Sequence, residues 1–140
     1  SGKREEGKAE LLTAFNDPTN PSPELSARNL GSAFLEEKRW GEAANWFRSS
    51  LSRNPTLVDA SLGLSDALLA QGRAEEAARA MEEALKTSPD HPALLVALGE
   101  AYYRVGRFHE AREKLEEAKL KDRTGAVAKK ADALLKQFDK

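Results

Sequence analysis

Apolar residues recur along this chain at helical spacing, in blocks separated by short polar breaks. The first block runs Ala27, Leu30, Gly31, Phe34; after a break come Ala43, Ala44, Phe47 and Leu51. A second pair follows as Ser61, Leu64, Ser65, Leu68 and then Ala77, Met81, Ala84, Leu85, with a third around Leu98, Gly99, Tyr102 and Ala111, Leu115, Ala118. Each pair predicts two helices. Gly72 and Gly106 fall where a first helix should stop in a left-handed turn. Asn54-Pro55 and Ser88-Pro89 separate the pairs and predict a capping side chain followed by a proline in the first turn of the next helix, as does Ser22-Pro23.

The pairs repeat with a period of 34 residues. Leu30, Leu64 and Leu98 obey it, as do Ala33, Ala67 and Ala101, and Ala43, Ala77 and Ala111. So do Arg39, Arg73 and Arg107, and Glu42, Glu76 and Glu110. Gly31, Ser65 and Gly99 keep a small residue at one position, where a larger side chain would hold the helices of a pair apart. These residues resemble the tetratricopeptide repeat family. Copy one carries Leu30, Gly31, Phe34, Trp40, Ala43, Phe47 and Pro55; copy two Leu64, Gly72, Ala77, Ala84 and Pro89. Copy three carries Leu98, Gly99, Tyr102, Gly106, Phe108, Ala111 and Ala118. Ser65, Ala74 and Arg123 depart from the pattern. The resemblance implies an all-α fold, a right-handed superhelical α-solenoid of three helix pairs closed by a terminal capping helix.

The expected organisation is an N-terminal arm and proline-rich linker over residues 1–23, either with a short helix at 8–15 packed on the repeats or as a mobile arm. Three units then follow at 24–57, 58–91 and 92–125, and a capping helix at 126–140. The cap carries Val127, Ala131, Leu134, Leu135 and Phe138 on one face and lysines on the other.

Composition narrows the chemistry. The 140 residues hold 22 Lys plus Arg against 23 Asp plus Glu, a net charge of -1, so the cationic excess expected of a nucleic-acid binder is missing. No cysteine is present, which removes disulfides and thiolate chemistry. His91 and His109 are too far apart in sequence to suggest a metal site. Adjacent carboxylates such as Glu75-Glu76 do not face one another on a helix, and no nucleophile elbow or phosphate-binding loop occurs. The reading is therefore not an enzyme, with no cofactor and no metal. No run is long enough to insert into a membrane. Cytoplasm and, with a leader or lipid anchor ahead of Ser1, periplasm both fit.

The repeated Arg and Glu read as structural: Arg at the C-terminal turn of each first helix and Glu in the first turn of the second, each favoured by the helix dipole by about 0.3 to 1 kcal/mol. In the resembled family the first helices line a concave groove that takes a peptide or helix of another protein, and helical register assigns the groove here to Leu25, Arg28, Leu35, Leu62, Asp66, Leu69, Val96, Glu100, Tyr103 and Arg104. The chaperone-tail carboxylate clamp of some family members is not expected, because its positions, Arg28, Ser32, Gly63, Ala93 and Val96, keep one cation. The sequence points to a protein or peptide partner, with a homo-oligomer through the arm or end face, or a regulatory fragment of a larger enzyme, as the alternatives.

Overall fold

The computed structural model describes residues 2–139; Ser1 and Lys140, which end the expected arm and cap, lie outside them. Eight α-helices occur among the described residues: α1 Gly2–Asn16, α2 Pro23–Glu36, α3 Trp40–Arg53, α4 Val58–Ala70, α5 Ala74–Thr87, α6 Pro92–Arg104, α7 Phe108–Lys121 and α8 Ala126–Lys136, followed by a short 3-10 turn at Gln137–Asp139. They form two compact units, Ser1–Gln71 and Gly72–Lys140. The division falls between the two helices of the second repeat.

In the first unit α2 and α3 form an antiparallel pair and α4 lies against both. The side chain that decides their spacing is Phe47, which is buried. A Cβ at Gly31 of α2 would stand 2.8 Å from Phe47 Cδ1, and one at Gly63 of α4 would stand 2.6 Å from Cε1. Both distances are below contact, so the ring occupies the space the two glycines leave. Ser50 Oγ donates to the carbonyl of Glu24 at 2.7 Å and ties α3 to the start of α2.

Helix α1 extends well beyond the expected 8–15 and packs on α2. Asn20 closes its C-terminal end by donating from Nδ2 to the carbonyl of Ala14 at 2.8 Å. The Phe15 ring meets Trp46 of α3 edge-on at 5.1 Å, and the Arg53 guanidinium covers Phe15. Lys8 is buried on the inner face of α1, its Nζ 2.8 Å from Glu37 Oε1 and 2.7 Å from Oε2, with Glu5 at 2.8 Å. Hydrogen bonds to Glu37 and then Glu5 hold the ammonium above its ordinary value of 10.5, while the bond from Lys8 chiefly holds Glu37 below 4.5.

In the second unit α6 pairs with α7, α5 lies against α6, and α8 packs on α7 and α6. Gly99 plays the part of Gly31, since a Cβ there would lie 2.8 Å from Leu115. Asp122 shapes the turn into α8 by accepting from the N–H groups of Thr124 at 3.0 Å and Ala128 at 2.8 Å.

Two expectations about helix ends require correction. Pro55 and Pro89 sit in the turns ahead of α4 and α6, not in their first turns: the N-caps are Leu57 and His91, and Pro92 opens α6. Asn54 instead ends α3 and accepts from the Thr56 N–H at 3.1 Å, an Asx turn. The repeated arginines are N-caps of the second helices, where the dipole disfavours a cation. Their carboxylate partners offset this. Arg39 grips Glu42 with two bonds of 2.8 Å, Arg73 grips Glu76 at 2.9 and 2.7 Å, and Arg107 holds Glu110 in the same fork. Arg39 and Arg107 also lie over the rings of Phe34 and Tyr102, at 4.7 and 4.1 Å.

Gly72 and Gly106 take positive φ as their positions require, but in the first repeat the corresponding residue is Lys38, at φ 61. Lys38→Gly is expected to raise stability by about 0.5–1 kcal/mol by relieving the left-handed backbone, whereas Gly63→Ala should cost about 1–3 kcal/mol because Phe47 cannot retreat. Urea unfolding of both variants checks the pair. The Lys8–Glu37 contact also sets a pH window. Its Glu37 contribution is present above pH 4.5 and is lost as pH falls through the depressed value, and its Lys8 contribution is present below 10.5 and lost as pH rises through the raised one. Trp46 fluorescence in a Trp40→Phe background, reporting the Phe15 contact, should be flat inside that window and change on both sides of it.

Candidate interaction surfaces

The expected groove residues fall into two sets, one in each unit. In the first unit, α2 and α4 are neighbours and present Leu25, Arg28, Leu35, Leu62 and Asp66 at their surfaces. Leu25 is 37% exposed, and Leu35 and Leu62 are half-buried. Arg28 reaches from α2 toward α4, 3.9 Å from Asp59 Oδ2, and donates to Asn29 Oδ1 at 3.2 and 3.3 Å. The half-buried Arg28 and the exposed Asp59 thus make a loose ion pair on two helices that also carry these leucines. Such a pair contributes little to stability and leaves its charges open to exchange with a ligand. Gly63, a clamp position in the family comparison, is instead filled against Phe47.

Leu69 does not belong to this surface. It is 7% exposed, one of eight buried residues among the thirteen of α4, a helix apolar on more than one side. Val96 is likewise withdrawn. At 2% exposure it is part of a core with Leu95, Leu115, Ala118, Ala131 and Leu135, because α8 lies over the wall that the repeat pattern alone leaves open. These two corrections remove the central apolar anchors from the expected site.

In the second unit Glu100 and Arg104 pair along α6 at 3.1 Å, and the half-buried Tyr103 joins a cluster of rings. Phe108, the first residue of α7, lies 5.3 Å from Tyr103, and Phe138, just after α8, lies 4.9 Å from it. With His109, Arg112 and Gln137 these rings line an open cleft of about 440 Å³. Register arguments missed Phe108 and Phe138. Both were visible as aromatics at helix ends, but nothing in a single helix shows that they meet. Next to Tyr103 in sequence, Tyr102 donates its hydroxyl to Glu82 Oε2 at 2.8 Å, and burial first, then that bond, pushes its phenol up to about 12.

Among the described residues no three His, Asp or Glu side chains gather in a way that could hold a metal ion, and no helix is long and apolar enough to cross a membrane.

The period, the small residues at the helix crossings and the paired-helix packing decide the family. The tetratricopeptide repeat model matches residues 34–81 and 68–135, which together span most of the chain. This chain belongs to the tetratricopeptide repeat family. No curated protein matches it in sequence. Among solved structures, the tetratricopeptide domain of Sgt2 from Aspergillus fumigatus is similar over 82% of this chain and 78% of its own, with TM-score 0.74 and 21% identity. The type III secretion translocator chaperone SycD from Yersinia enterocolitica is similar over 88% of this chain and 96% of its own, at TM-score 0.77 and 15% identity. PcrH, solved with the chaperone-binding region of PopB, is similar over 83% and 97%, at TM-score 0.75 and 17% identity. At these identities the likeness establishes the all-α tetratricopeptide fold.

Burial divides the expected residues into two classes with different costs of change. Leu25→Glu should leave stability within about 0.5 kcal/mol of the parent, whereas Val96→Glu should lose about 3 kcal/mol or more by placing a carboxylate in a closed core. Thermal melts followed by circular dichroism distinguish them.

Proposed function

We propose that this protein is a non-catalytic interaction module, a scaffold or assembly factor that binds an extended or helical segment of another polypeptide on its first-helix faces. The observation that carries the reading is that the neighbouring helices α2 and α4 keep exposed or half-exposed apolar surface at Leu25, Leu35 and Leu62 and share the loose Arg28–Asp59 pair. Apolar anchors rimmed by polar groups suit a peptide with its own apolar face. The PcrH structure, in which a fold of this kind is solved with a segment of PopB, supports the same reading. Helix α1 packs on its own α2, which favours a foreign ligand over self-association through the arm.

A random-peptide phage library selected on the full chain and on its Leu62→Glu variant tests the proposal. The parent should enrich a recurring motif of spaced apolar residues, and the variant, folded by circular dichroism, should lose it. Equal enrichment on both proteins, or no recurring motif on the parent, contradicts it.

A further inference from the structure

Helix α1 covers α2 and α3 without filling the space between them. Among its described residues only Lys8 is buried; Gly7, Leu11, Ala14 and Phe15 are half-buried, and Leu12 stays 43% exposed. Open clefts run along both sides of the contact. One, of about 270 Å³, is lined by Ala9 and Leu12 of α1 and by Leu30, Phe34 and Trp46 beneath them. The other, of about 180 Å³, is lined by Gly7 and Leu11 and by Ala33, Glu36 and Glu37 at the end of α2. Small residues of α1, Gly7 and Ala9, thus face the two clefts, and a Cβ built on Gly7 would meet open space.

The contacts that hold α1 are specific more than strong. Lys8 Nζ reaches both oxygens of Glu37, and Phe15, two turns further along, meets Trp46 edge-on beneath Arg53. A buried ion pair gains little over the desolvation it costs. A helix of 15 residues is marginal in water once it has left its support. A segment with few buried apolar contacts opens locally while the rest of the chain stays folded. Opening of α1 uncovers Phe34 and Trp46, beside Leu30 and the carboxylate of Glu37.

We infer that this face is a second docking surface, for an amphipathic helix of a partner protein, and that α1 is a strap which that helix displaces. The contacts of α1 state the chemistry required: a cation for Glu37, an apolar residue one turn on as at Leu11, and an aromatic two turns on as at Phe15. The clefts add what α1 lacks, large apolar side chains where it has Gly7 and Ala9. An acidic residue in place of the cation would set two carboxylates against each other. The inference goes beyond the α2–α4 reading and does not rest on it, because Leu30, Phe34, Glu37 and Trp46 play no part in that surface.

Fluorescence anisotropy of labelled peptides with the full chain tests this. The first probe is a peptide of residues 2–22 of this sequence, supplied in trans. The parent, whose own α1 occupies the face, should bind it weakly. Lys8→Ala and Phe15→Ala loosen the strap at two separate points, and each chain, still folded by circular dichroism, should bind the peptide at least about tenfold more tightly than the parent. Adding Glu37→Ala to Lys8→Ala should abolish that gain. On the Lys8→Ala chain, a second probe carrying Ala9→Leu should bind about fivefold more tightly than the first, and a third carrying Lys8→Glu at least about tenfold more weakly. The inference is overturned if neither variant gains over the parent, if the gain survives loss of Glu37, if the Ala9→Leu peptide binds no better, or if the Lys8→Glu peptide binds equally well. It is also overturned if light scattering finds dimers of the parent that the first peptide dissolves, since the occupant is then the α1 of a second copy.

Discussion

Phe47 pressed between Gly31 and Gly63 is the constraint on which the first unit depends. One ring from α3 reaches helices on two sides because each offers a glycine at the crossing, and neither position has room for a methyl group. Close approach of this kind converts a weakly apolar helix into a packed one: α3 buries only Ala43, Ala44, Phe47 and Ser50, yet α2 and α4 both lie on it. The second unit uses Gly99 and Leu115 for the same purpose with an aliphatic wedge.

Charge arranges what packing leaves undetermined. The Arg–Glu forks at the starts of α3, α5 and α7 recur because the turn between paired helices recurs, and in two of them the arginine also covers the large ring at the end of the preceding helix. Each fork ties the N-cap residue of a second helix to that helix's own first turn. At the N-terminal end the buried Lys8 serves a related purpose, fixing α1 on α2 through a paired charge and not by apolar contact alone. A buried ion pair of this sort tends to specify one docking arrangement more than it adds stability.

The surfaces left over have different characters. On α2 and α4 one exposed and two half-buried leucines share their helices with a loose ion pair, while the second unit offers a ring cleft with a guanidinium at its edge. Both lie on elements whose own cores are complete, so ligand contacts there would not compete with folding.

The fold was legible in the sequence because a repeat states its packing more than once. A small residue at position 31 alone means little, but Gly31, Ser65 and Gly99 at one period identify a helix crossing, and helical spacing then assigns the core. The site was only partly legible. Leu25, Leu35 and Leu62 could be placed by register, since a single helix decides which side its residues take. Leu69 and Val96 could not, because their exposure depends on what lies over the helix, and for Val96 that is α8, an element outside the repeat pattern. The cleft was invisible for the same reason. Periodicity along a chain determines directions about a helix axis, while the meeting of Tyr103, Phe108 and Phe138 depends on distances between helices, which only tertiary packing sets.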